Sequence, residues 1–262
     1  MGPAIVQERR YSAAVEEEIP DFSPLAASYA RGRPRYPAEL FAWLAALVDG
    51  HALAWDCGTG NGQAALGLAA HFSRVVATDL SAEQLRQAAP HPRIVYRPAP
   101  AERSGLDPGS VDLVTAAAAA HWFDLPAFGN EVARVIRPGG VLAVFSYHIG
   151  RVAPPFQEAF HRFYWERMKP WFAPGAVFVD EGYRTLELPG VPLSTPPFEV
   201  SAAWTLDEVL AFAGSWSAVR AYGEETGDDP LPALRAELAP IFGDPGRSLP
   251  FRMPLHLRVQ RL

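Results

Sequence analysis

From residue 37 to residue 147 the chain alternates between helix-period and strand-like apolar runs, and this alternation constrains its fold more than any other feature. Leu40, Phe41, Leu44, Leu47 and Val48 recur at helical spacing, with Pro37 suited to a first turn and Gly50 to a stop. Short apolar runs predict strands at 52–55, 75–77, 94–96 and 111–115. Between them, helices are expected at 63–72 and 81–89, the latter with Ser81 as cap and Gln84 at the capping-box position. A helix at 125–136 should stop at Pro138, and the unbroken apolar run 141–146 suits a central parallel strand. Strands that alternate with helices in this way form a parallel sheet covered on both faces, with right-handed crossovers.

Beyond residue 147 the pattern breaks. The stretch 153–172 is rich in aromatics (Phe156, Phe160, Phe163, Tyr164, Trp165, Trp171, Phe172), and 189–197 is rich in proline. The aromatics fit a helical core stripe better than a substrate lid. The tail suggests a strand at 198–204, helices near 206–222 and 231–241, and a last strand near 253–261. Four segments are expected: an N-terminal arm at 1–24, a cofactor-binding core at 25–150, an insertion or lid at 151–197, and a C-terminal completion of the sheet, with helices, at 198–262.

Composition narrows the function. A net charge of −6 gives no electrostatic reason to bind nucleic acid. No run of 18 apolar residues suggests a membrane span, and residues 1–20 carry charges instead of the apolar centre of a secretory signal. A single cysteine, Cys57, excludes an internal disulfide and fits a reducing, cytoplasmic setting; it reads as a small buried filler.

The strongest local signal is Trp55-Asp56-Cys57-Gly58-Thr59-Gly60-Asn61-Gly62, directly after a strand and before a helix. Glycines there allow a sharp turn and close approach of a ligand at a helix N-terminus. A dinucleotide would place a pyrophosphate there, with the spacing G-x-G-x-x-G. In this chain the third glycine comes one place early, and Gln63 stands where that spacing wants glycine. Asp56 would repel a phosphate, and no Lys or Arg occurs between His51 and Ser73 to offset it. S-adenosylmethionine carries no phosphate but does carry an ammonium and a sulfonium, which a carboxylate suits directly or through the loop it orders. Asp79 follows about 20 residues beyond the glycine loop, where an acid accepts from ribose hydroxyls; its plainer role would be to cap the helix beginning near Ser81.

This ordered series resembles the class I S-adenosylmethionine-dependent methyltransferases over residues ~25–148. Residues 56–62 resemble their first motif, and Val75 to Ser81 the second strand with its ribose-binding acid. Ala101-Glu102 resembles the pair that lies by the adenine. Val111 to Thr115 with Ala119 to Asp124 resembles the fourth strand and its loop, and Arg134 to Leu142 the turn into the fifth strand. Within the class, Tyr29 to Pro37 and His121-Trp122-Phe123 resemble small-molecule carboxyl methyltransferases of the trans-aconitate type. The resemblance implies a Rossmann-like α/β fold: a doubly wound, mostly parallel seven-stranded sheet with an antiparallel last strand and a helical lid insertion.

It also implies roles. Tyr29, Arg33, Asp56, Gly58, Thr59, Gly60, Asp79, Leu80, Ala101, Glu102, Ala118 and Trp122 are the expected cofactor contacts. Arg33 would pair with the methionine carboxylate, with Arg31 and Arg35 as rivals. Tyr36, His121, Tyr147, His148, Trp165 and Trp216 are expected around the substrate, and His121 is the one candidate base. No metal site is expected. The predicted activity is methyl transfer from S-adenosylmethionine to an oxygen or nitrogen of a small molecule, a carboxylate among the candidates, by a monomer or weak homodimer. The rivals are an NAD-dependent oxidoreductase or epimerase, and a non-catalytic cofactor-binding protein on the same fold.

Overall fold

The computed structural model describes residues 34–147, 154–244 and 246–262. Helix α1 (Ala38–Ala46) leads into β1 (Leu53–Cys57), α2 (Gln63–Ala69), β2 (Arg74–Asp79), α3 (Ala82–Arg86), β3 (Ile94–Pro98) and β4 (Val111–Ala117). A 3-10 turn at Ala120–Trp122 precedes α4 (Leu125–Val135) and β5 (Ile136–Tyr147). The strands run β3-β2-β1-β4-β5 and are parallel throughout this stretch. The chain order reverses between β1 and β4, so the loops leaving their carboxyl ends face each other. That is where open α/β sheets bind ligands.

The local chemistry explains these elements. Asp124 caps α4 by accepting from the Ala127 N–H at 3.0 Å, and Phe128, Glu131, Val132 and Val135 form its buried stripe. Ser81 caps α3 by accepting from the Gln84 N–H at 3.2 Å. The return half of the expected capping box is absent: the Gln84 side chain is buried and lines a cavity. Helix α4 ends at Val135, and Pro138 lies inside β5 instead of marking a helix stop.

After β5 come α5 (Pro154–Arg162), a wide π-turn (Phe163–Met168), a 3-10 turn (Lys169–Trp171) and α6 (Ala176–Asp180). The two-residue β6 (Val191–Pro192) and β7 (Glu199–Trp204) precede α7 (Leu206–Gly214), α8 (Ser217–Thr226), α9 (Leu231–Phe242) and the long β8 (Leu249–Arg261). Thr205 and Glu208 form a full capping box at the start of α7. The single helical span expected near 206–222 is divided at Ser215–Trp216. The Ser215 hydroxyl donates to the Phe212 carbonyl at 2.6 Å, and Trp216 takes an extended backbone that drives its ring into the aromatic core.

The sheet has eight strands where seven were expected, and the antiparallel ending is as expected. β8 pairs antiparallel with β5 through Leu255–Arg261, with β6 at Gln260 and Arg261, and with β7 through Leu249–Pro254. One strand therefore ties the sheet to the aromatic helical layer. Phe156, Phe160 and Phe163 pack there with Trp204, Trp216 and Phe242, as a core stripe would. The sheet's two faces have their own cores, one under α1 and α2, the other under α4. Each fully buried large side chain, such as Phe72 or Phe128, contributes roughly 1.5–3 kcal/mol.

Candidate cofactor and acceptor site

At the carboxyl edge of the sheet lies a cavity of about 250 Å³. One end is formed by the loops after β1, β2 and β4, the other by the aromatic helical layer. Gly58, Thr59, Gly60, Asp79, Leu80, Ala101, Glu102, Ala118, His121 and Trp122 all line it, as do Tyr36, Tyr147 and Trp216. The loops are close-packed against each other: a Cβ on Gly58 would lie 2.5 Å from the Ala119 Cβ.

The glycine turn has a distinct job for each residue. Gly62 is the N-cap of α2, with φ +85°, and a Cβ there would lie 2.5 Å from the Tyr96 hydroxyl. The early third glycine thus serves the helix entry and its packing on β3. Gly60 also has a positive φ, and a Cβ there would meet only the Gln84 Oε1, at 3.9 Å, so its backbone is uncrowded on the cavity side. Ala118, at the end of β4, has φ +51°, strain of the kind that gathers at functional sites.

Asp56 corrects one expectation. Its carboxylate is completely buried, does not line the cavity, and accepts from the Thr59 hydroxyl at 2.5 Å and the Thr115 hydroxyl at 2.6 Å. Burial pushes its pKa up to about 6, against the opposing hydrogen bonds from Thr115 and Thr59. Asp56 therefore ties the glycine turn to β4 and does not itself face the cavity. Beside it, Cys57 is buried, and burial followed by the neighbouring Asp56 charge pushes its thiol pKa well up. It is an inert filler.

Asp79 does line the cavity. One oxygen accepts from the Gly60 N–H and the other from the Ser81 N–H, each at 2.8 Å. It braces the helix start, as its plainer reading has it, and a carboxylate has acceptor capacity beyond these bonds. Burial raises its pKa, against the backbone hydrogen bonds. Near it, Gln84 is 3% exposed and its Oε1 has no protein partner. A buried acceptor left so is costly unless a ligand donates to it. Sequence reasoning assigned Gln84 to capping alone; its position on the first turn after Asp79 was the available signal.

On the other side of the cavity the His121 Nδ1 and the Tyr183 hydroxyl are 2.9 Å apart. Tyr183 is fully buried with φ +59°, and burial raises its pKa, opposed by a hydrogen bond with Ser146. Ser146 and His121 both line the cavity, so Tyr183 couples two of its walls from behind. Nothing in the sequence around Tyr183 pointed to this, because the contact spans 62 residues. Glu102 accepts from the Asp124 N–H at 2.9 Å and so fastens its own loop to the start of α4.

Trp165 is a second correction. It is 37% exposed, lies outside the cavity, and packs with His161 and Lys169. Arg35 is exposed and also lies outside the lining. Tyr29, Arg31, Arg33 and His148 fall outside the described residues. Among the described residues no Lys or Arg lines the cavity, and its two acidic lining residues are Asp79 and Glu102. No group of three or more potential metal ligands occurs among the described residues.

Comparison with known proteins agrees with this arrangement. Residues 55–144 match the methyltransferase domain family. A Dictyostelium discoideum protein named as a methyltransferase is 30% identical over 225 residues, covering 83% of this chain and 84% of its own length. A Mycobacterium tuberculosis protein named as a methyltransferase is 40% identical over 124 residues, 47% of this chain and 50% of its own. Among solved structures, a protein named as a type II methyltransferase from Anaeromyxobacter dehalogenans is 44% identical, with TM-score 0.79 over 87% of this chain and 97% of its own. With the sheet order, the glycine turn and these likenesses in hand, the chain belongs to the class I S-adenosylmethionine-dependent methyltransferases.

Proposed function

We propose that the cavity binds S-adenosylmethionine at its glycine-turn end and a small-molecule acceptor at its aromatic end. The observation that carries this reading is Asp79: its carboxylate lines the cavity beside Gly60, with no phosphate-neutralising cation among the described lining residues. Asp79 and the unpartnered Gln84 Oε1 would accept from the ribose hydroxyls or the ammonium. Leu80, 49% exposed, offers an apolar platform for the adenine, with Ala101 and Glu102 beside it. Arg33 remains the proposed partner of the cofactor's carboxylate.

When bound, S-adenosylmethionine supplies a methyl group already activated by its sulfonium. The chain's part is alignment and exclusion of water. Asp56 holds the glycine turn through Thr59 and Thr115. Tyr183 holds His121, which faces the acceptor end and is placed to take a proton from an acceptor that must lose one.

Calorimetry of S-adenosylmethionine binding, with labelled methyl transfer to a panel of phenols, amines and carboxylic acids, tests the reading. Asp79→Asn should weaken cofactor affinity roughly 10- to 100-fold while leaving the protein folded. Unchanged affinity would remove Asp79 from the site. On any acceptor found, His121→Ala should lower turnover most at low pH, where fewer acceptor molecules are already ionised. Equal turnover of variant and parent at every pH would remove the proton-accepting role.

A further inference from the structure

The aromatic end of the cavity has a composition that selects among acceptors. Five ring pairs close an arc around it. Tyr36 and Tyr147 lie 6.0 Å apart, Tyr147 and Phe212 6.4 Å, and Phe212 and Trp216 5.6 Å. Trp216 and Tyr164 follow at 5.4 Å, then Tyr164 and Phe172 at 5.2 Å. All six rings line the cavity. Their mutual angles range from stacked-like tilts to near-perpendicular crossings, so the arc presents both ring faces and ring edges.

The charges are distributed the other way. The two carboxylates of the lining, Asp79 and Glu102, both belong to the glycine-turn end. Among the described residues, two cations of the helical layer are occupied elsewhere. Lys169 is ion-paired with Asp180 and lies against Trp165, while Arg167 sits over the Tyr222 ring. Neither lines the cavity. Asp180 also accepts from the Tyr164 hydroxyl at 2.6 Å, which turns that phenol's polar end toward the ion pair. A carboxylate acceptor placed in the arc would lose its hydration against the rings and meet no Lys or Arg among the described lining residues, leaving the cofactor's own cation, already facing two acids, as its counter-charge, a combination that is costly. A flat, uncharged molecule would bury its apolar faces on the rings and gain edge and face contacts with them.

We infer that the acceptor is an uncharged, ring-bearing nucleophile of the phenol class, seated in the arc formed by Tyr36, Tyr147, Phe212, Trp216, Tyr164 and Phe172, and not a free carboxylate. This rests on the methyl-transfer reading above, and it replaces the carboxylate expectation drawn from resemblance. His121 and Ser146, the polar groups where the two ends meet, are placed to receive the single hydroxyl of such a molecule.

The test uses the full chain at pH 7, saturated with sinefungin, whose amine keeps the positive charge of the sulfonium. Calorimetry then compares 2-naphthol with 2-naphthoate, which share a ring system and differ in charge. Naphthol should bind at least roughly ten-fold more tightly. Equal or tighter binding of naphthoate, or no measurable binding of naphthol, overturns the inference. Phe172→Leu, a change at a half-buried ring, should weaken naphthol roughly five-fold. An unchanged naphthol affinity in a variant that still binds sinefungin would put the ligand outside the arc and also overturn it. Failure of sinefungin itself to bind the parent protein would strike the cofactor reading instead, so the two failures are distinguishable.

Discussion

Asp56 and Asp79 end neighbouring strands and look alike in the sequence, yet they act at different depths. Asp79 faces the cavity; Asp56 is enclosed by two threonine hydroxyls. Enclosure leaves a measurable mark. The Asp56 pKa rises from the ordinary 3.8 to about 6 in the fold, so between those values the native state holds a proton that the unfolded chain gives up. The contribution of this group is therefore most favourable below the unfolded pKa and is lost as pH rises through about 6, by about 3 kcal/mol in all. Asp56→Asn should abolish that slope. In denaturant titrations from pH 4 to pH 7 the variant should gain on the parent by about 2–3 kcal/mol; a gap that stays constant or shrinks would refute the buried titration. Glu131 has the opposite sign: the Arg134 guanidinium first, and then Ser104, hold its pKa down to about 2, so its contribution is lost only as pH falls toward that value. The residue identities were legible in the sequence. Which acid faced the cavity and which met only protein was not, because Thr115 lies 59 positions from Asp56.

At the scale of elements, local signals read well where the chain contacts itself nearby. The caps at Ser81, Asp124 and Thr205 depend on bonds three residues long, and α4 and β4 appear close to their expected limits. The early third glycine is an element-level feature too, because Gly62 starts α2 in the left-handed region and passes under Tyr96. Gly62→Ala should destabilise the protein by roughly 1–3 kcal/mol, read as a lower urea midpoint. An unchanged midpoint would show that the turn relaxes freely. The reading failed where distant packing redirected a local preference. The helical pattern across 206–222 breaks because Trp216 has an aromatic pocket to fill, and Pro138 falls in the irregular stretch of β5 between Ile136, paired with Val111, and Val141, paired with Leu113. Trp165 belongs to the same lesson. Aromatic richness marked the stretch, but the wide π-turn at Phe163–Met168 directs Tyr164 to the cavity and leaves Trp165 at the surface.

For the whole molecule, β8 joins the parallel sheet to the aromatic helical layer. Its C-terminal half continues the sheet beside β5, and its N-terminal half pairs with β7 beneath the aromatic layer that lines the proposed acceptor end. Deleting residues 249–262 should therefore remove cooperative folding and with it cofactor binding, seen as loss of a sharp thermal transition by circular dichroism. A truncated chain that still melts in one sharp step and binds cofactor would show that the glycine-turn half is self-sufficient. The cavity shared by sheet edge and helical layer also explains why the proposed acceptor wall lay beyond motif reading: its rings, Tyr36, Tyr147, Tyr164, Phe172, Phe212 and Trp216, are drawn from across the chain.

The order of strands and helices, the glycine turn and the acid after β2 follow from the sequence alone, because hydrophobic period and turn chemistry act over a few residues and need no distant partner. The tertiary structure alone decided the burial of Asp56, the union of His121 with Tyr183 and the cation-poor aromatic arc among the described residues. Each of these arises when surfaces far apart in the chain exclude water together, and that exclusion, not the residue type, sets charge state, orientation and ligand preference.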